Sequence, residues 1–140
     1  MSYNHFIGTI ILVVFSYYIK NGEIKNTKNE ILTVDTSIWV TATAYNALES
    51  QTKKGNVGIG AWGDLLTDDL KAIAVSKDLI EMGLIRNREV KIEGLEGIYR
   101  VMDKMNNRWT RKIDIFMGTD REAAIQWGKR KVKITFSVSE

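Results

Sequence analysis

A series of short segments in which apolar and polar residues alternate constrains this chain more than any other feature. Ile38–Tyr45 (IWVTATAY) alternates and is rich in β-branched and aromatic residues. Glu89–Glu93 (EVKIE), Ile98–Asp103 (IYRVMD), Ile113–Met117 (IDIFM) and Lys129–Val138 (KRKVKITFSV) behave in the same way, and Lys71–Val75 (KAIAV) is a short apolar run. A period of two is the mark of a strand with one buried face. In the last segment Val132, Ile134 and Phe136 share the apolar face. Only two stretches read as helix. Ser76 is placed to cap a single turn over Lys77–Met82. Thr119-Asp120-Arg121-Glu122 has the capping-box pattern ahead of Asp120–Trp127, and Gly128 sits where a C′ glycine belongs. Many short strands with so little helix predict a mainly β fold, a small mixed barrel with one or two short helices.

The connections differ in kind. Gly94 and Gly97 bracket a tight turn, and Lys104–Lys112 is a polar loop carrying one tryptophan. Asn46–Asp69 holds four glycines and no sustained apolar period. Such a loop inside a compact domain is usually functional.

The N-terminal segment is unlike the rest. Phe6–Ile19 (FIGTIILVVFSYYI) carries no charge and ends at Lys20. It is shorter than the roughly 20 residues a full hydrocarbon crossing needs and matches the apolar region of a signal peptide. A buried first strand or helix is the alternative. Lys20–Asn29 reads as a polar spacer. The expected organisation is a signal peptide or membrane anchor over residues 1–20, a linker over 21–37 and the barrel over 38–140. That places the domain in the cell envelope, periplasmic or extracellular, with membrane contact only through residues 6–19.

The chain has no cysteine, which excludes disulfides, thiolate metal sites and cysteine nucleophiles. Its formal charge of +3 and pI near 9.1 favour acidic partners without choosing among them. His5 stands beside the apolar run and no EF-hand spacing occurs, so no metal or other cofactor is expected. The oxygen set Asp103, Asp114 and Glu93 is the only metal alternative weighed. Arg108, Arg111 and the KRKVK stretch at Lys129–Lys133 are the basis for a nucleic-acid alternative. Lysines that alternate on a terminal strand read more simply as a solvated face, so no nucleic-acid partner is expected.

Two aspartates are out of place in strands. Asp114 lies inside Ile113–Met117, and Asp103 ends a strand in which Tyr99 and Val101 are expected to share its face. A carboxylate on an apolar face is partly desolvated, which raises its pKa and lets it hold a proton for general acid catalysis. Pairing with Arg100, Arg108 or Arg111 is the structural alternative.

Taken in order, TATAY at Thr41–Tyr45, IAVSKDL at Ile73–Leu79, GIYRVMDKMNNRW–RKIDIFMG over Gly97–Gly118 and REAAIQWGKRKVKI near the end resemble the 3D (Asp-Asp-Asp) muralytic domains. These are related to the catalytic barrel of the MltA-type lytic transglycosylases. The resemblance covers residues 39–136. It implies a six-stranded double-psi β-barrel that cleaves the β-1,4 bond after N-acetylmuramic acid in peptidoglycan glycan strands, leaving a 1,6-anhydro product. It further implies that Asp114 serves as the acid/base, with Asp103 as the second family carboxylate. Thr43 and Tyr45 match the family T-A-Y, and their hydroxyls would orient the sugar or the aspartates. Ser76 stands where the family carries its first aspartate, and Asp78 two residues on is the nearest carboxylate to replace it. Arg108 and Trp109 lie in the loop between the two aspartates, where the indole could stack on a sugar and the guanidinium meet a carboxylate; Trp109 as barrel core is the alternative. A non-catalytic glycan-binding or expansin-like wall-loosening module is the competing function.

Overall fold

The computed structural model describes residues 19–20, 23–24, 33–47 and 58–139. Residues 1–18 and most of the expected linker therefore lie outside the described residues. Ile19–Lys20 (β1) and Glu23–Ile24 (β2) form a small antiparallel ladder. Thr33–Glu140 make one compact unit. Its strands are Thr33–Tyr45 (β3), Ala72–Val75 (β4), Glu89–Ile92 (β5), Tyr99–Lys104 (β6), Lys112–Phe116 (β7) and Arg130–Ser139 (β8). Lys77–Glu81 (α1) and Arg121–Trp127 (α2) are its helices.

The six strands close into a barrel in the order β3-β7-β4-β6-β5-β8. Two pairs are parallel, β3 with β7 and β4 with β6, and antiparallel pairs link them into the double-psi arrangement. Strand β3 begins at Thr33, five residues before the expected boundary, because Thr33–Ser37 pair with Ser139–Thr135 of β8. Thr33, Val34 and Asp35 are exposed, so this extension shows no apolar period.

Alternation sorts the side chains. Val40 and Ala42 of β3, Ile73 and Val75 of β4, Val101 of β6, Ile113 and Ile115 of β7 and Val132, Ile134 and Phe136 of β8 fill the barrel. Each large aliphatic chain so buried contributes about 1.5–3 kcal/mol. A second, smaller cluster lies on the outer face, where Leu66, Ala72 and Phe116 pack with Tyr45, Leu70 and Met102. Strand β4 is consequently buried on both faces, and all four of its residues are buried.

The helix starts differ from expectation. Asp120, not Thr119, caps α2, its carboxylate accepting the Ala123 N–H at 2.9 Å. The Thr119 hydroxyl donates instead to Asp68 at 2.8 Å. Ser76 is the residue before α1 but makes no side-chain cap there. Gly128 ends α2 with φ +63°, and its N–H returns to the Ala124 carbonyl.

A candidate carboxylate site on the outer face of the barrel

Barrel register places the two aspartates in one row. Thr43 of β3 pairs with Asp114 of β7, Asp114 pairs with Ala74 of β4, and Ala74 pairs with Asp103 of β6. Neighbouring strands lie about 4.8 Å apart, so the aspartate backbones are on the order of 10 Å apart with only a methyl side chain between them. Ala74 leaves room for both carboxylates to lean toward each other.

Asp103 reaches this row through a bulge. Ile73 pairs with Val101, but Ala74 pairs with Asp103, so Met102 is an extra residue in β6. Simple alternation predicts Asp103 on the inner face with Tyr99 and Val101; the register shift places it on the other face. A bulge re-aims the side chains beyond it, and this one turns Asp103 to the outer face. Gly60 packs against the bulge so closely that a Cβ there would overlap the Met102 carbonyl oxygen. Beside it, the Ala61 N–H donates to Asp103 Oδ1 at 2.7 Å, and the Lys104 N–H donates to the same oxygen at 2.8 Å. Tyr45 Oη donates to Asp103 Oδ2 at 3.3 Å. The loop thus uses backbone to fix a carboxylate. It is held in turn by the Ile59–Leu65 bridge and by two hydrogen bonds from Arg86 to Asp64. Gly60→Ala is expected to push the loop off the bulge and free Asp103 from the Ala61 amide. Affinity for the site's ligand should fall about tenfold, the value of losing one charge-assisted hydrogen bond, while the far-ultraviolet spectrum is retained.

Asp114 has a different setting. Thr43 Oγ1 donates to its Oδ1 at 2.8 Å. Burial pushes its carboxyl above the ordinary value, and the negative charge of Asp103 adds to this. The Thr43 hydrogen bond and the Lys112 ammonium pull the other way without cancelling it. Tyr45 is pushed up strongly, first by burial and then by the charges of Asp103 and Asp114, so its hydroxyl remains a donor. Its ring packs on Phe116 with centroids 5.4 Å apart.

Aromatic rings flank the row. Lys112 Nζ lies 3.7 Å from the centroid of Trp109, and the Arg108 guanidinium lies 5.0 Å from it on the same ring. Trp109 is 36% exposed and is not barrel core. Trp62 follows Ala61 and packs partly buried against the main core, with Lys104 Nζ 5.4 Å from its ring. Such cation–aromatic pairs hold the rings in place and add positive charge beside them.

Ser76 does not join this group. It is fully buried, and its hydroxyl accepts the Lys112 N–H at 3.1 Å. The Ser76 hydroxyl is also a hydrogen-bond partner of the Asp78 carboxylate, whose Oδ2 accepts the Arg111 N–H at 2.9 Å and pins the turn before β7. Of the expected residues, then, the fold brings together Thr43, Tyr45, Asp103 and Asp114, with Arg108 and Trp109 alongside. Sequence reasoning missed Gly60, Ala61, Trp62 and Ala74. Only the close glycines at Gly58, Gly60 and Gly63 gave any signal, and it was unspecific. Among the described residues no three His, Asp or Glu side chains come near enough to hold a metal ion. A depression of about 460 Å³ lined by Ile85, Arg86, Arg88, Glu89 and Arg100 includes none of the site residues. Its arginines are taken up by Asp64, by the carbonyls of Gly83 and Ser137, and by Glu89.

No protein-family model matches the chain, and no curated protein matches it. Among solved structures it is similar to a point mutant of Clavibacter michiganensis expansin in complex with cellohexaose, at 16% identity and a TM-score of 0.43. The match covers 75% of this chain and 50% of the expansin chain, so this chain spans about half its length. The chemistry of the site rests on its own residues.

Proposed function

We propose that this domain binds cell-wall glycan and cleaves it as a lytic transglycosylase of the 3D type, with Asp114 as acid and base. The observation that carries the reading is the pairing of Asp114, raised by burial and oriented by Thr43, with the multiply anchored Asp103 across Ala74. As acid, Asp114 gives its proton to the glycosidic oxygen while the bond from that oxygen to the anomeric carbon breaks. The carboxylate it becomes then takes the proton of the muramic C6 hydroxyl, whose oxygen closes the 1,6-anhydro ring on the anomeric carbon. No water is consumed and Asp114 ends protonated again. Asp103 supplies negative charge to the oxocarbenium-like carbon and favours the protonated form of Asp114. Trp109, exposed and backed by Lys112, offers a ring for a sugar. The apolar run at residues 6–19 supports an envelope location for this activity. Mass spectrometry of intact peptidoglycan treated with the full chain tests the reading: anhydro-muropeptides support it, reducing ends replace it with hydrolysis, and no products leave binding alone.

Binding without cleavage is the second reading. Ser76, buried and committed to Lys112, leaves two carboxylates where the 3D pattern has three.

The pH profile separates chemistry from mere architecture. Protonated Asp114 is the active form, so the rate should fall as pH rises through its raised pKa. Thr43→Val removes a hydrogen bond that lowers that pKa and should move the alkaline limb to higher pH. Asp103→Asn removes a like charge and should move it to lower pH. Shifts in opposite directions are the expected result of rate–pH profiles on both variants. Limbs that stay in place would sink the assignment of the acid.

A further inference from the structure

Strand β3 carries a second feature on the face that holds Thr43. Its outward row runs Trp39, Thr41, Thr43, Tyr45, because Val40 and Ala42 point into the barrel. Trp39 is 57% exposed. A single exposed apolar side chain needs no explanation, but this indole stands in line with the site and has a cation on it. Lys133 pairs with Trp39 across β8, and its Nζ lies 5.8 Å from the ring centroid. Between Trp39 and Asp114 lies Thr41, flanked by Lys131 on one side and Lys112 on the other. Four residues of strand separate Trp39 from Thr43, roughly 13 Å, a distance that a short run of linked pyranose rings bridges.

Cations gather on this stretch. Lys112, Lys131, Lys133 and Arg108, like most cations among the described residues, are in no ion pair with a described carboxylate, so their charge is open to a ligand. Unpaired cations that flank two exposed indoles on one face match a ligand that has apolar ring faces and pendant negative charge.

We infer that Trp39 and Lys133 form an additional subsite, one that takes a carboxylate-bearing sugar of the strand whose scissile bond lies at Asp114. The indole covers the apolar face of the pyranose, and the Lys133 ammonium meets the carboxylate. Lys131 and Lys112 carry the acidic strand from this subsite past Thr41 to the carboxylate row. This inference rests on the glycan reading above and gives the site a direction and a preference for acidic over neutral chains.

The test is calorimetric titration of the full chain carrying Asp114→Asn, so that no ligand is consumed. Two probes share one β-1,4 backbone: a neutral N-acetylglucosamine hexamer, and an uncross-linked strand in which N-acetylmuramic acid alternates and carries a free carboxylate. The acidic probe should bind more tightly, with a preference that shrinks as salt rises. Adding Trp39→Ala should weaken both probes about tenfold, and Trp39→Tyr should restore most of that loss. Adding Lys133→Gln should weaken only the acidic probe, about threefold to fivefold. If Trp39→Ala and Lys133→Gln titrate like their parent, the subsite does not exist and the glycan reading stands. If the parent binds neither probe, the glycan reading fails and the subsite fails with it.

Discussion

Asp114→Asn should cut the release of anhydro-muropeptides from intact peptidoglycan by at least about a hundredfold, the lower end of what a positioned acid/base contributes. The same change should raise the melting temperature at pH values above the carboxyl's raised pKa. The two effects share one cause. Burial raises the carboxyl of Asp114 above its ordinary value, so the folded protein holds this proton more tightly than the unfolded chain. The stabilisation is therefore complete below the unfolded pKa, near 4, and is lost as pH rises through the folded pKa. Above that raised pKa the wild-type domain folds around an ionised, half-buried carboxylate; asparagine keeps the shape and a hydrogen-bonding group for Thr43 without the charge. Thermal melts of the two proteins should converge at acid pH and separate above the carboxylate range, with the variant higher. A variant that loses activity and also melts lower at every pH would show Asp114 to be a structural residue. A variant that keeps releasing anhydro product would move the acid elsewhere.

How much of this was legible depended on whether a residue's position is fixed by its neighbours in sequence or by its partners across the barrel. Strands β3, β5 and β8 were legible because one face is buried and one is wet, as Val132, Ile134 and Phe136 show by alternating with Lys131, Lys133, Thr135 and Ser137. Strand β4 was visible only as an apolar run. The loop that covers Ala72 on the outer face removes the polar half of the alternation, and an unbroken run does not declare its structure. The face of Asp103 was misread because a one-residue bulge at Met102 has no local signature, although every side chain beyond it changes sides. The cap of α2 was misplaced by one residue, since Thr119 and Asp120 are both capping types. The choice was made by Asp68, a residue far back in the chain that draws the Thr119 hydroxyl away. Asp114, Thr43 and Tyr45 were accessible because motif and strand register agree. Ala74, Gly60 and Ala61 act only through what they allow or donate to a distant strand, and no window of neighbouring residues reports that. Ser76 shows the reverse: its place in the motif was legible, while its burial depends on pairing with Lys112.

Asn46 braces the far end of the site, and Asn46→Leu should lower the melting temperature of the domain by roughly 5–15 °C. Asn46 follows Tyr45 directly, is only 2% exposed, and sends its side-chain amide to the carbonyls of Gly118 at 3.1 Å and Asp120 at 2.9 Å, with a longer 3.4 Å approach to Met117. A single side chain thus satisfies the turn that joins β7 to α2. Leucine of similar size removes the amide's bonds and leaves each carbonyl only its backbone donor, Ala47 N–H for Gly118 and Ala124 N–H for Asp120; two lost hydrogen bonds at about 0.5–1.5 kcal/mol each give a total of about 2 kcal/mol. Asn46→Asp should be worse, because it sets a carboxylate against the same carbonyl oxygens and offers no N–H. The backbone ties the turn to the site: Met117 N–H donates to the Tyr45 carbonyl at 2.9 Å, and Ala47 N–H donates to that of Gly118 at 3.1 Å. Loosening the turn therefore frees Tyr45, whose hydroxyl reaches Asp103. Glycan affinity measured well below the melting point should fall in both variants, by more in Asn46→Asp. A melting temperature within about 3 °C of wild type for Asn46→Leu would mean that the backbone donors suffice for these carbonyls and that the amide does not hold the site. The order wild type, leucine, aspartate, found alike in melting and in affinity, would show that fold stability and the placement of Tyr45 are set by the same amide.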